Sequence, residues 1–169
     1  PSLIGGPCST DTTVTVNINP EGNRADLSNY PATAIFYADG SWDGSQFTTA
    51  PLYTFNDTPV FTTATGQVNW VIGDVSEAIY DISIRDEHSL ESVRDGEDIS
   101  GTADSFTIGP ITEGDADLDN SVGGTDFTIL RNNWLGFING ADFDDDGTVG
   151  GTDFTLLRNN WLNSGPLVQ

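Results

Sequence analysis

Methionine and lysine are missing from this 169-residue chain, and cysteine and histidine occur once each. No run of 18 apolar residues exists, which excludes a membrane-spanning helix and with it membrane insertion by that route. The single Cys8 rules out an internal disulfide, leaving a lone thiol or a bridge between chains. Basic residues are scarce: five, all arginine (Arg24, Arg85, Arg94, Arg131, Arg158), against 26 acids, for a formal charge of −21. Such a surface repels phosphates and anionic lipid, so nucleic acid and membranes are not expected partners. It suits bound cations or a basic protein surface. Without methionine, Pro1 is not expected to be a translation start, so either a leader was removed or the sequence is a fragment, and an acidic, lysine-free, Gly/Thr/Asn-rich chain is expected to be secreted and to act outside the cell.

The ingredients of common catalytic sites are equally thin. His88 has Asp86 and Ser89 beside it in sequence, but triads are assembled across space, and the segment reads as a surface turn between strands. Cys8 has no base nearby, and no glycine-rich loop that could cradle phosphates occurs. Paired carboxylates for glycoside hydrolysis need a cleft, which a sandwich of about 100 residues seldom encloses. The chain is expected not to be an enzyme. Trp42 and Trp70 could form a carbohydrate platform, with core packing as the ordinary alternative.

What is present is a good supply of apolar and aromatic residues: 36% hydrophobic, with four Trp, nine Phe and four Tyr. Residues 1–11 read as an irregular arm. From Thr12, Val14, Val16 and Ile18 alternate with polar residues, the mark of a half-buried strand. Further strand candidates lie at 32–37, 46–54, 59–64, 67–73, 78–85, 89–94 and 103–109, each bounded by Gly, Pro, Asp or Asn. Eight short strands over residues 12–112 predict a β-sandwich, with no helix before residue 124. The stretch from Val75 through Tyr80-Asp81 to Arg85 resembles the "G-x-Y-D-V-x-V-K" strand of carboxypeptidase-regulatory-like and prealbumin-type sandwiches, without the Gly before Tyr80. The fold class implied is a mainly β, immunoglobulin-like or prealbumin-like sandwich followed by a small α module at 113–169.

That module is a duplication. From Asp115 the chain repeats itself 27 residues later at Asp142, with 16 of 21 aligned positions identical. Each copy places carboxylates at loop positions one, three, five and twelve: Asp115, Asp117, Asp119, Asp126, and Asp142, Asp144, Asp146, Asp153. Calcium takes six to eight oxygens, and a twelve-residue loop offers them at positions 1, 3, 5, 7 and 12. The seventh donates its backbone carbonyl, so Ser121 and Thr148 complete the candidate ligands. The sixth position must turn with positive φ, which suits Asn120 and Gly147. Val122 and Val149 occupy the positions at which paired EF-hand loops join through a short β-bridge. Zinc would need His or Cys, and the repeat has neither; magnesium holds its waters and wants tighter geometry.

After each loop Phe127, Leu130, Trp134 and Phe154, Leu157, Trp161 fall at i, i+3, i+7, one apolar stripe per short helix, expected to be core. A loop followed by a helix, duplicated, with Asp at the last ligand position and no leading helix, resembles the dockerin family. The resemblance implies two calcium ions and a protein-docking surface made by Gly124, Thr125, Arg131 and Asn132 and, in the second copy, Gly151, Thr152, Arg158 and Asn159. The duplication would present nearly the same face twice. The alternative is that this face packs on the sandwich of its own or a neighbouring chain.

Three functions remain open at this point. The first is a non-catalytic extracellular structural subunit that self-associates into a filament or surface assembly through residues 1–11 or the dockerin-like face. The second is a dockerin-bearing fragment that binds a cohesin in a polysaccharide-degrading complex. The third is a carbohydrate-binding module.

Overall fold

The computed structural model describes residues 12–21, 31–57, 61–62, 67–101, 103–137 and 139–166. The arm at residues 1–11, with Cys8, lies outside them. Among the described residues, eight strands form two four-stranded sheets: β1 (Thr12–Pro20), β2 (Ala32–Ala38), β3 (Tyr53–Asp57), β4 (Phe61–Thr62), β5 (Gln67–Val75), β6 (Ala78–Asp86), β7 (Ser92–Ile99) and β8 (Ala103–Ile111). One sheet has the order β4-β5-β1-β8, the other β3-β2-β6-β7. β1 runs antiparallel to β5 and parallel to β8, so the first strand of the sandwich is closed in by the last.

Alternation does the folding here. Val14, Val16 and Ile18 of β1, Val68, Trp70 and Ile72 of β5, and Ala34, Phe36, Ile82 and Ile84 from the opposite sheet meet in one buried core. Phe36 anchors it with edge-to-face contacts to Phe55 and Tyr80, both at 5.5 Å. Trp70 is 3% exposed within this core. It cannot be a carbohydrate platform, because its ring faces the opposite sheet and not solvent.

Residues 46–54 are not one strand. Trp42 and Phe47 pair through a short bridge and fold over the outer face of the second sheet, where Phe47 stacks on Tyr37 at 3.8 Å. Trp42 leans on Phe47 at 5.1 Å and is half-buried. This cover explains why β6 is buried on both faces from Tyr80 to Ile84. Buried Asp81 is satisfied there by the N–H groups of Trp42 (2.8 Å) and Gly96 (2.9 Å). The strand expected at 89–94 starts later, at Ser92, because Ser89 to Glu91 is drawn toward the helical module.

The module holds two nine-residue helices, α1 (Gly124–Asn132) and α2 (Gly151–Asn159), and a second core of Val122, Leu130, Ala141, Phe143, Val149, Leu156 and Leu157, with Leu90 contributed by the sandwich. Among the described residues no helix precedes Gly124. Two expectations are corrected here. Trp134 and Trp161 are 47% and 42% exposed, and Phe154 is 37% exposed, so the stripes lie only partly in the core. Trp134 and Trp161 lie beyond the last residues of α1 and α2, Phe154 leans on Phe127 at 6.1 Å, and Phe143 and the two valines fill the centre instead.

Val122 and Val149 also do not pair with each other. Val122 exchanges backbone hydrogen bonds with Leu162 and Asn163, both at 2.9 Å, and Val149 with Leu135 (2.9 Å) and Gly136 (3.0 Å). Each loop is therefore tied to the segment that follows the other repeat's helix. Leu135 and Leu162 adopt left-handed backbone (φ 62° and 68°) to make that connection.

The module sits directly on the sandwich. Gly114 and Asp115 donate their N–H groups to the carbonyl of His88, both at 3.0 Å, and Ser89 pairs with Glu113. His88 is fully buried at this junction, not exposed on a turn. Burial works against its protonation, yet the carboxylates of Asp86 and Glu113, with Asp145 beyond, hold its pKa well above the usual value.

Candidate metal centres

Each loop is organised by hydrogen bonds from its own backbone to its own carboxylates. In the first, Asp115 accepts from the N–H groups of Asp119 (3.1 Å) and Asn120 (2.9 Å). In the second, Asp142 accepts from Asp146 (3.1 Å) and Gly147 (2.8 Å). The turn that allows this needs left-handed backbone at position six, and Asn120 and Gly147 supply it with φ 67° and 87°.

The twelfth-position carboxylates do two jobs. Asp126 lies in the first turn of α1, where one oxygen accepts from Ala116 at 2.8 Å and the other from Gly123 at 2.7 Å. Asp153 repeats the arrangement with Phe143 at 2.6 Å and Gly150 at 2.7 Å. Each thereby draws the start of its loop onto the start of its helix, where a negative charge is favoured by the helix dipole. Asp126 and Asp153 are 1% exposed.

Two groups of converging oxygens result. Asp115, Asp117 and Asp126 place one ligand atom each within 4.8 Å of one another, and so do Asp142, Asp144 and Asp153. Asp119 and Asp146 lie at the rim of these groups, accepting the N–H groups of Ser121 (2.9 Å) and Thr148 (2.8 Å). The Ser121 hydroxyl donates to Asp119 at 2.6 Å, which leaves its carbonyl as the atom it would offer an ion.

Crowding of like charge shows in the acidities. Burial, then the neighbouring carboxylates Asp126, Asp119 and Asp117, pushes Asp115 up to about 6. Burial, then Asp153, Asp146 and Asp142, does the same to Asp144, also to about 6. Asp117 and Asp142 are raised for the same reasons. The donors are all oxygen, carboxylate in the main, and two sets of them are held by backbone that is already bent to the shape. That chemistry fits a hard divalent cation.

The eight residues expected on a docking face, Gly124, Thr125, Arg131, Asn132, Gly151, Thr152, Arg158 and Asn159, are all exposed. None is consumed by packing on the sandwich, which is contacted through other positions: Asn120 accepts the N–H of Glu91 at 2.9 Å, and Asn160 reaches Glu21 at 2.6 Å. The face therefore does not pack on its own sandwich. Sequence reasoning missed the junction around His88 and Asn160. Polar residues brought together across such separations leave no local pattern to read.

No family model and no curated protein matches the sequence. The fold does have solved counterparts, among them two crystal structures of type II Cohesin-X-Dockerin complexes from Acetivibrio cellulolyticus. An N-terminal interface mutant matches with a TM-score of 0.60 at 13% identity, and a C-terminal interface mutant with 0.63 at 14%. Both alignments cover 91% of this chain and 97% of the other. At such identity the likeness is one of fold.

Proposed function

We propose that this chain is a non-catalytic docking unit of an extracellular protein assembly, a sandwich carrying a dockerin-like module that binds a cohesin-like domain of another protein. The observation that carries the reading is the extent of the fold likeness. A match over 91% of 169 residues cannot be confined to the 112 that precede the module, and the matched structures are complexes of this kind. The exposed, twice-repeated face around Arg131 and Arg158 supports it.

Two calcium ions complete the proposal. The first would be held by Asp115, Asp117, Asp119, Asp126 and the Ser121 carbonyl, the second by Asp142, Asp144, Asp146, Asp153 and the Thr148 carbonyl. Calcium would neutralise the loop carboxylates and so fix the two helices. At about 4 Å and an effective dielectric near 20, each like-charge pair costs ~4 kcal/mol without a cation. A module of about 50 residues has little core with which to offset that. Ion binding and ordering of the helices are one event.

The test is capture. In calcium, the protein should form a complex at micromolar concentration with a type II cohesin domain. Chelation should abolish the complex, and replacing Thr125, Arg131, Thr152 and Arg158 together with alanine should weaken it at least tenfold. A monomer that captures no cohesin-like domain would overturn the reading. Calcium-independent growth into polymers would favour the filament instead.

A further inference from the structure

Outside the two loops, a dense group of ligating side chains gathers where the sandwich meets the module. His88 is fully buried between β6 and β7. Its Nδ1 lies 2.7 Å from Glu113 Oε2, on the segment that leads from β8 into the first loop, and Asp86 Oδ1 stands 3.7 Å away on the same side. The other ring nitrogen differs. Nε2 is buried without a hydrogen-bond partner, and it faces Asp145 Oδ1 at 3.5 Å, beyond the reach of a hydrogen bond. Glu87, His88 and Asp145 each offer one ligand atom, all within 4.8 Å of one another.

A carboxylate on Nδ1 is the usual second partner behind a metal-bound histidine, and an ion arriving at Nε2 would displace to solvent the proton that the surrounding carboxylates otherwise hold on that nitrogen. Two ligands bound about 2.0–2.1 Å from a tetrahedral zinc ion stand roughly 3.3 Å apart, close to the spacing found between Nε2 and Asp145. Asp145 is the fourth residue of its loop, a position that calcium does not use. The first loop has Leu118 there, 42% exposed, so the repeats differ where only one of them faces His88.

We propose that His88 Nε2, Glu87 and Asp145 form a third cation site, selective for a transition ion of the zinc type, which staples the module to the sandwich. An imidazole with two carboxylates leaves one tetrahedral position for water and disfavours calcium and magnesium, which take oxygen ligands. Glu113 is a positioning residue for the ring.

The experiment uses the full chain saturated with calcium, titrated with Zn²⁺ by calorimetry and with Co²⁺ by visible absorption. One equivalent should bind that excess calcium does not displace, with the strong absorption of tetrahedral cobalt, and zinc should raise the melting temperature. His88→Gln, Glu87→Gln and Asp145→Asn should each weaken zinc at least tenfold. Glu87 is half-buried, so its variant carries the test should the fully buried His88 prove intolerant of change. Absence of zinc binding to the calcium-loaded protein, displacement by calcium, or affinity unchanged in Glu87→Gln and Asp145→Asn would overturn the site.

Discussion

Asn160 Nδ2 donates to Glu21 Oε2 across 2.6 Å, fastening the last turn of the second repeat to the residue that follows β1. The same amide reaches the Glu113 carbonyl at 2.9 Å. Its counterpart Asn133 turns inward and donates to Ile129 of its own helix at 2.8 Å. Identical residues in the two copies thus have unlike roles. Asn160→Ala leaves a buried carbonyl without its donor and should cost about 1–3 kcal/mol. Asn133→Ala, at a partly exposed helix end, should cost less than about 1 kcal/mol. Urea unfolding of both variants in calcium checks the order, and equal losses would contradict the clamp.

Removal of calcium should melt α1 and α2 and spare the sandwich. The sandwich has its own core from Val14 to Ile111, whereas the module relies on carboxylates that repel one another without an ion. Circular dichroism should show helix lost on stripping and strand retained. Calorimetry should show a separate low-temperature transition that calcium moves upward. Indifference of both signals to calcium would remove the basis for the metal centres.

Acid should act in opposite directions on the two forms. In the metal-free protein Asp115 and Asp144 have pKa values raised to about 6, above those of an unfolded chain. Raised groups add stability that is fully present below about pH 3.9 and lost as pH rises through about 6. The stripped module should therefore hold more helix at about pH 5 than at about pH 7.5. With calcium, protons compete for the same oxygens, so affinity and melting temperature should fall as pH drops from about 7.5 to about 5. Circular dichroism of the stripped protein and scanning calorimetry of the loaded one read the two effects, and one shared sign would refute the prediction.

The parts that were legible in the sequence are those fixed by short-range rules. Alternation placed β1 because one of its faces lies in the core, and β5 and β6 were marked by their β-branched and aromatic residues between turn residues. Loop spacing, with Asn120 or Gly147 at the bend, placed the carboxylates because a twelve-residue turn determines where its own side chains meet. What escaped depends on neighbours distant in sequence. His88 reads as a turn residue until Glu113 and Asp145 close over it. Trp70 is buried by the opposite sheet, whereas Trp134 extends past a helix too short to cover it. No periodicity announces the crossed pairing of Val122 with Leu162 and of Val149 with Leu135.

That crossed pairing leads to the last prediction. Because each loop is hydrogen-bonded to the exit of the other repeat, the two proposed ion sites should not order independently. Asp126→Ala removes one carboxylate from the first site and also the acceptor for Ala116 and Gly123. The start of α1 then loosens, and with it the segment at Leu135 and Gly136 that holds Val149 in the second loop. Calcium affinity should fall at least tenfold at the first loop. It should fall measurably at the intact second loop as well, although every one of its carboxylates remains. Asp153→Ala should act in reverse, through Leu162 and Asn163 on Val122. Calorimetric titration of the two single variants measures both sites, and wild-type affinity at the untouched loop in each would show that the bridges transmit nothing.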